Sequence, residues 1–230
     1  MKTRIILPDT DGISEAGAIL RSGGLVAFPT ETVYGLGANA LDATATKHIY
    51  EAKGRPSDNP MIVHVASIDM LNGVASGVTD AQKAIMSKLW PGPITFVLHK
   101  NPAVPDVTTG GLDTVAVRWP SRREAAEIIE AAGVPIAAPS ANLSGKPSPT
   151  TFEDVAEDMD GRIDAIVKGE RTAIGIESTV LDLTSEVPTI LRPGFITKSQ
   201  IEEAACCEVK YDPSLFKKPG ADDFHPKSPG

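Results

Sequence analysis

Four cationic side chains stand where elements end, in a chain whose formal net charge is −8. Lys53 and Arg55 lie in Lys53-Gly54-Arg55-Pro56-Ser57-Asp58-Asn59-Pro60. Arg118 closes Thr114-Val115-Ala116-Val117-Arg118-Trp119-Pro120, and Arg192 sits in Leu191-Arg192-Pro193-Gly194. The dipole of a helix favours a cation at its C-terminus, so Lys53 alone is ambiguous. The two prolines sharpen the reading. They hold Arg55 on a fixed excursion, which lowers the entropy lost on gripping an anion, and a guanidinium fork matches phosphate and carboxylate. Arg118 shares a strand face with Thr114 and Ala116; a charge there sits at a rim or meets a ligand, because burial without a partner is costly. His64 alternates with Ile62 and Ala66, which suits a core histidine equally well. Ser140 and Asn142 follow the carboxyl end of the strand before them, where open α/β sheets bind ligands, although both are also ordinary turn residues. Gly175-Ile176-Glu177-Ser178-Thr179-Val180 adds a polar strand entrance. Together these residues imply a cavity for a small, multiply charged anion, and a nucleoside triphosphate fits.

Two nucleotide look-alikes fail on context. Gly35-Leu36-Gly37-Ala38-Asn39-Ala40 matches GxGxxA, but that fingerprint must join a strand end directly to a helix start. Here polar residues precede it and the helix cap, Asp42, follows it. The expectation is a glycine turn closing Phe28-Pro29-Thr30-Glu31-Thr32-Val33-Tyr34-Gly35-Leu36-Gly37, with Thr30 to Thr32 lining the cavity and no role assigned to Glu31. Gly145-Lys146-Pro147-Ser148 is half a P-loop with Ser140 where its first glycine belongs. No GxSxG elbow, no HExxH and no convincing Cys–His pair occurs, so nothing points to a covalent nucleophile.

Composition sets outer bounds. The 230 residues, 41% hydrophobic, suit one large domain or one domain with an extension. An acidic balance disfavours a protein whose main task is gripping a phosphate backbone. The only cysteines, Cys206 and Cys207, are adjacent and read as reduced thiols of a cytosolic protein. No apolar run reaches membrane-spanning length, and Met1 to Gly17 lacks the apolar core of a secretory signal.

Strands are expected at 24–28, 61–66, 94–98, 114–118, 134–138, 165–167, 179–183 and 189–191. Helices are expected from the Asp42 cap to Lys53, from Thr79-Asp80 to Leu89, over 122–132, from a Thr150/Glu153 capping box to Met159, and after Thr197 with Gln200. Strands alternating with helices through short connections imply an α/β fold with a mixed sheet. From residue 208 proline, glycine and charge dominate, which reads as a tail or linker after a domain spanning 1–207.

FPTETVYGLG, KGRPSDNPMIVHV, WPGPITFVL, GLDTVAVRWP, PIAAPSANLSGKPSPT, GIESTVLDL and ILRPG follow one another in this order. From residue 15 to 195 the chain thereby resembles the YrdC-type threonylcarbamoyl-AMP synthase family. The resemblance implies a twisted mixed α/β sheet around a concave basic cavity. It implies a nucleotidyltransferase joining L-threonine, bicarbonate and ATP into threonylcarbamoyl-adenylate with release of pyrophosphate. That product feeds a tRNA-modifying transferase making threonylcarbamoyladenosine, with direct tRNA binding weak or absent. Residue by residue, Lys53, Arg55, Ser140 and Asn142 would form the catalytic set. Arg55, Asn59, Thr114, Ser140, Ser148 and Arg192 would contact ATP. Thr32, His64, Arg118 and Ser178 would surround threonine, with Arg118 on its carboxylate. Mg²⁺ is expected with ATP, but no carboxylate set stands out as its ligands. An RNA-binding module of the same fold and a carbamoyl-transfer domain of the hydrogenase-maturation type are the alternatives. Longer members continue through a linker into a second domain, and residues 208–230 resemble the start of that linker.

Overall fold

A computed structural model describes residues 2–216. Its chain order is β1 (Arg4–Ile6), α1 (Thr10–Arg21), β2 (Val26–Pro29), β3 (Tyr34–Asn39), α2 (Ala43–Lys53), β4 (Ile62–His64), α3 (Ile68–Val74), α4 (Asp80–Leu89), β5 (Ile94–His99), α5 (Asp106–Thr109), β6 (Thr114–Arg118), α6 (Arg123–Ala132), β7 (Ile136–Ala137), α7 (Phe152–Met159), β8 (Ala165–Val167), β9 (Thr179–Asp182), β10 (Thr189–Arg192), α8 (Lys198–Ala205) and β11 (Lys210–Tyr211), with a 3-10 turn at Pro213–Phe216. The strands form one mixed sheet in the order β1-β8-β2-β3-β7-β4-β6-β5-β9-β10-β11. The expected mixed α/β architecture is what the chain adopts.

Period-two alternation divides the apolar residues between the sheet's two faces. Val26, Phe28, Ile136 and Val167 meet Leu20, Ile128 and Ile129 of α1 and α6 on one face. Their neighbours Ala27, Ala137 and Ile166 join Ile49, Phe96 and Leu181 in the larger core on the other. Farther along the first face, over β4, β6, β5 and β9, the buried side chains are only Ile62, Val97, Ala116 and Val180 beside polar groups. That thin stretch is the floor of a cleft.

Four local findings correct the sequence reading. Gly35 and Gly37 do not turn; both lie within β3, paired to β2 with Phe28 opposite Gly35. The turn is instead Thr30–Val33, where the Thr30 N–H and hydroxyl both donate to the Val33 carbonyl at 3.2 and 2.7 Å. What the glycines supply is room. A Cβ on Gly37 would stand 2.7 Å from a ring carbon of Phe28 and 2.9 Å from a methyl of Ile136. The capping box of α7 lies one residue later than expected: the Asp154 N–H donates to the Thr151 hydroxyl at 3.2 Å, and Asp154 Oδ2 accepts from the Thr151 N–H. Thr150 is engaged elsewhere, its carbonyl accepting from the Thr172 N–H at 3.0 Å. At the amino end, β1 and α1 went unassigned, as did the short α3 and α5; β1, α3 and α5 are too brief for periodicity to stand out, whereas α1, capped by Asp9 with Ile13, Ala16 and Leu20 at helical spacing, was legible and was passed over. Finally, packing continues past residue 207. Val209 is fully buried, and β11 pairs in parallel with β10. Residues 217–230 of the expected linker lie outside the described residues.

Candidate functional site

Strand register assembles the site. In the parallel β4–β6 pair Ile62 faces Ala116 and His64 faces Arg118, and in the antiparallel β5–β6 pair Arg118 faces Thr95. His64, Arg118 and Thr95 therefore form one row across three strands on the thin face of the sheet. All three are buried. The Thr30–Val33 turn closes over the end of that row. Arg118 Nη1 donates to Thr32 Oγ1 at 2.9 Å, and Arg118 Nη2 lies 2.8 Å from Glu31 Oε1. This second contact is an ion pair without hydrogen-bond alignment, because Nη2 and Nε of Arg118 and both Glu31 carboxylate oxygens lack an aligned partner. A strap from β8 pins the turn from behind: the Ile174 and Gly175 N–H groups donate to the Glu31 and Thr32 carbonyls at 3.0 Å each. His64 is held neutral. Burial, then the neighbouring Arg118 charge, pushes its pKa down to about 3, and its Nδ1 has no partner.

The second half of the site hangs on the end of α2. Asp42 caps that helix by accepting from the Thr44 and Ala45 N–H groups, and Gly54 ends it in the left-handed region at φ 61°. This places Lys53 in the last turn and Arg55 just outside. Lys53 is buried, and its Nζ donates to the backbone carbonyls of Ser140 and Asn142, the latter at 2.7 Å. The lysine thus clamps the loop that follows β7, while Ser140 is bridged to Gly35. Burial, reinforced by Arg55, pulls the Lys53 pKa down to about 7, with Glu177 and Asp158 opposing. Asn142 Nδ2 donates to the Leu143 and Lys146 carbonyls at 2.8 Å, which leaves its buried Oδ1 without a partner. Arg55 is half-buried, and its Nη2 likewise has none.

A third group enters from β9 and β10. Arg192 Nε and Nη2 donate to the Ser178 carbonyl at 3.1 and 3.0 Å, and Nη2 also reaches the Ser178 hydroxyl at 3.2 Å. Arg192 Nη1 pairs with Glu177 Oε2 at 2.6 Å, while Ser148 donates to Glu177 Oε1 at 3.1 Å. The Ser178 hydroxyl is 2.8 Å from that of Thr95.

Thr32, His64, Arg118, Ser140, Ser178 and Arg192 all line one cleft, together with Gly35, Pro60, Ile62, Ala138 and Glu177. Lys53 and Asn142 stand just behind Ser140, and Ser148 reaches the cleft through Glu177. Asn59 precedes the lining residue Pro60, and its carbonyl accepts from the Tyr50 hydroxyl at 2.9 Å. Thr114 lies apart. It faces His99 at the far end of β6, four residues and roughly 13 Å from Arg118, and does not line this cleft. Sequence reasoning passed over Thr95 and Glu177. Thr95 could be found only from strand register, whereas Glu177 stands in a quoted motif beside Ser178. Cys206 and Cys207 are exposed at the end of α8. Among the described residues no group of three His, Cys, Asp or Glu side chains is placed to hold a metal ion, and no helix is long and apolar enough to cross a membrane.

An open mixed sheet whose loop ends gather guanidinium, ammonium, carboxylate and hydroxyl groups around a cleft defines an α/β domain with a polar cleft on one face. The Sua5/YciO/YrdC family model, described as "Telomere recombination", matches residues 18–194. The chain belongs to that family. It is 53% identical over 203 residues to the threonylcarbamoyl-AMP synthase of Pyrococcus abyssi, covering 88% of this chain and 59% of that protein. It is 56% identical over 191 residues to the one of Bacillus subtilis, covering 83% and 55%. Among solved structures, P. abyssi Sua5 complexed with L-threonine superposes with a TM-score of 0.92 at 48% identity, over 99% of this chain and 67% of that one. Escherichia coli YciO gives 0.76 at 25% identity, over 87% and 98%. The chain thus spans less than two thirds of the length of the two curated relatives.

Proposed function

We propose that this domain makes threonylcarbamoyl-adenylate and pyrophosphate from L-threonine, bicarbonate and ATP. The observation that carries the reading is the row on β4, β6 and β5. Arg118 there, ion-paired with Glu31 through Nη2, keeps Nε–H and Nη2–H groups without an aligned hydrogen-bond acceptor beside Thr32, neutral His64 and Ser178, a short step from Lys53, Arg55 and Arg192. A fork of that kind suits the carboxylate of an amino acid, and the cluster beyond it suits a polyphosphate. Relatives named threonylcarbamoyl-AMP synthase, and a homologous structure holding L-threonine, support the same assignment.

In this reading Arg118 takes the threonine carboxylate and Thr32, His64 and Ser178 enclose its body. Bicarbonate takes up a proton, the equivalent of the one the amine sheds, and loses water to give CO2. The threonine amine attacks that carbon and sheds a proton, forming the carbamate. A carbamate oxygen then bonds to the α-phosphorus as the bond to pyrophosphate breaks. Negative charge is redistributed over phosphate oxygens throughout, so fixed cations and positioning outweigh any single acid or base. Lys53, Arg55 and Arg192 supply those charges, with Asn59, Ser140, Asn142 and Ser148 as further nucleotide contacts and a cavity of basic character around them. Mg²⁺ would arrive with the triphosphate. The described carboxylates form no cage for it, so no step is assigned to the ion. The product would pass to a tRNA-modifying transferase in the cytoplasm. The test is pyrophosphate release. Dependence on threonine and bicarbonate together is expected; release with ATP alone, or none with the complete mixture, refutes the reading.

A further inference from the structure

Glu177 holds a position that neither the sequence motifs nor the proposed chemistry explains. Its carboxylate lines the cleft, pairs with Arg192 at 2.6 Å and accepts from Ser148 at 3.1 Å. Those are two of the groups assigned above to the nucleotide. Its negative charge also reaches Lys53 and Arg55, whose pKa values it raises against the effect of burial. One carboxylate thus answers to three of the four cations of the site. Its side chain is about a third exposed, 34% against 19% for Arg192, so it has a path into solvent while the arginine stays in place. Its backbone has no such freedom, because Gly194 packs so closely that a Cβ there would stand 2.6 Å from the Glu177 carbonyl oxygen.

We propose that Glu177 is an internal stand-in for phosphate: it neutralises Arg192 and occupies Ser148 until the triphosphate displaces it, and it returns as pyrophosphate leaves. The inference rests on the reading of the cleft as an ATP site and adds the residue that sets its affinity. A group that must be displaced weakens binding, so removing its charge tightens binding. Loss of a direct ligand or of a structural support does the reverse.

The experiment is calorimetric titration of the domain with ATP, without threonine, in the presence and absence of Mg²⁺. Glu177→Gln keeps the shape and an acceptor oxygen for Arg192, with its NH2 donating to the Ser148 hydroxyl in place of accepting from it, while removing the charge. It is expected to bind ATP roughly tenfold more tightly, the scale of one charge-assisted hydrogen bond, and to melt at a lower temperature when unliganded. Should that variant not fold, Glu177→Asp, too short to span both Arg192 and Ser148, is expected to tighten binding by a smaller factor. Unchanged or weaker affinity overturns the inference alone. Weakening confined to Mg²⁺-containing buffer overturns it in favour of a metal-bridged contact. No ATP binding by either form overturns both the inference and the ATP reading.

Discussion

Glu31→Gln is the substitution that best separates scaffold from site. Arg118 is 4% exposed, and its guanidinium lies 2.8 Å from a carboxylate whose two oxygens are buried. At that separation the attraction is about 6 kcal/mol for an effective dielectric constant of 20. Desolvation of both ions offsets much of it, and breaking a buried pair from one side costs about 3–5 kcal/mol in practice. The lower end applies, because the N–H groups are not aimed at the carboxylate and Thr32 Oγ1 still accepts from Nη1. A loss of about 3 kcal/mol in a domain of this size corresponds to a fall of roughly 6–12 °C in melting temperature.

Thermal unfolding of four proteins tests this: the unaltered chain, Glu31→Gln, Arg118→Met, and the pair together. The pair should be less damaged than the sum of the two single changes, since replacing both partners leaves no uncompensated buried charge. If Glu31→Gln melts within about 2 °C of the unaltered protein, or if the two losses simply add, the pair is not coupled and the reasoning fails.

Arg55→Ala should abolish ATP turnover while leaving the melting temperature close to its starting value, since Nη2 of this half-buried residue has no protein partner. A large drop in melting temperature with turnover intact would make it a packing residue. Burial lowers the Lys53 pKa from 10.5 to about 7, so between those values the unfolded chain binds more protons than the folded one. Stability should therefore rise with pH across that window; urea unfolding at pH 7 and 9.5 should show the rise, and Lys53→Met should flatten it. Gly37→Ala forces a methyl against Phe28 and Ile136 and should cost about 1–3 kcal/mol, read as an earlier denaturant midpoint with unchanged slope.

How much was legible follows from how local each signal is. The cap of α2, its glycine stop and the proline-fixed loop after it are written within a dozen residues, and all appear where expected. The strands β6 and β8 match to the residue, because alternation and composition agree over their whole length. Glu31 had no reading because its partner is 87 positions away. Thr95 was absorbed into an apolar strand for the same reason: only the β5–β6 register sets it beside Arg118. The misread glycines are a different failure. Gly35 and Gly37 carry the composition of a turn, but what they avoid is the neighbouring Ala138, Phe28 and Ile136, and no local rule distinguishes those two uses of glycine.

The two acid–base pairs of the site differ in one physical respect, and that respect assigns them different work. Glu31 meets Arg118 with both carboxylate oxygens buried and does not line the cleft, so no ligand can take its place. Its charge is a fixed part of the scaffold, and it leaves the Nε–H of Arg118 without an acceptor. Glu177 meets Arg192 at the cleft surface with a third of its side chain in solvent, where an incoming anion competes directly for the same donors. A buried counter-ion makes an arginine affordable in the core, whereas an exposed one makes it exchangeable. An amino acid that must be held through several bond changes belongs with the first kind. A polyphosphate that must enter whole and leave in part belongs with the second.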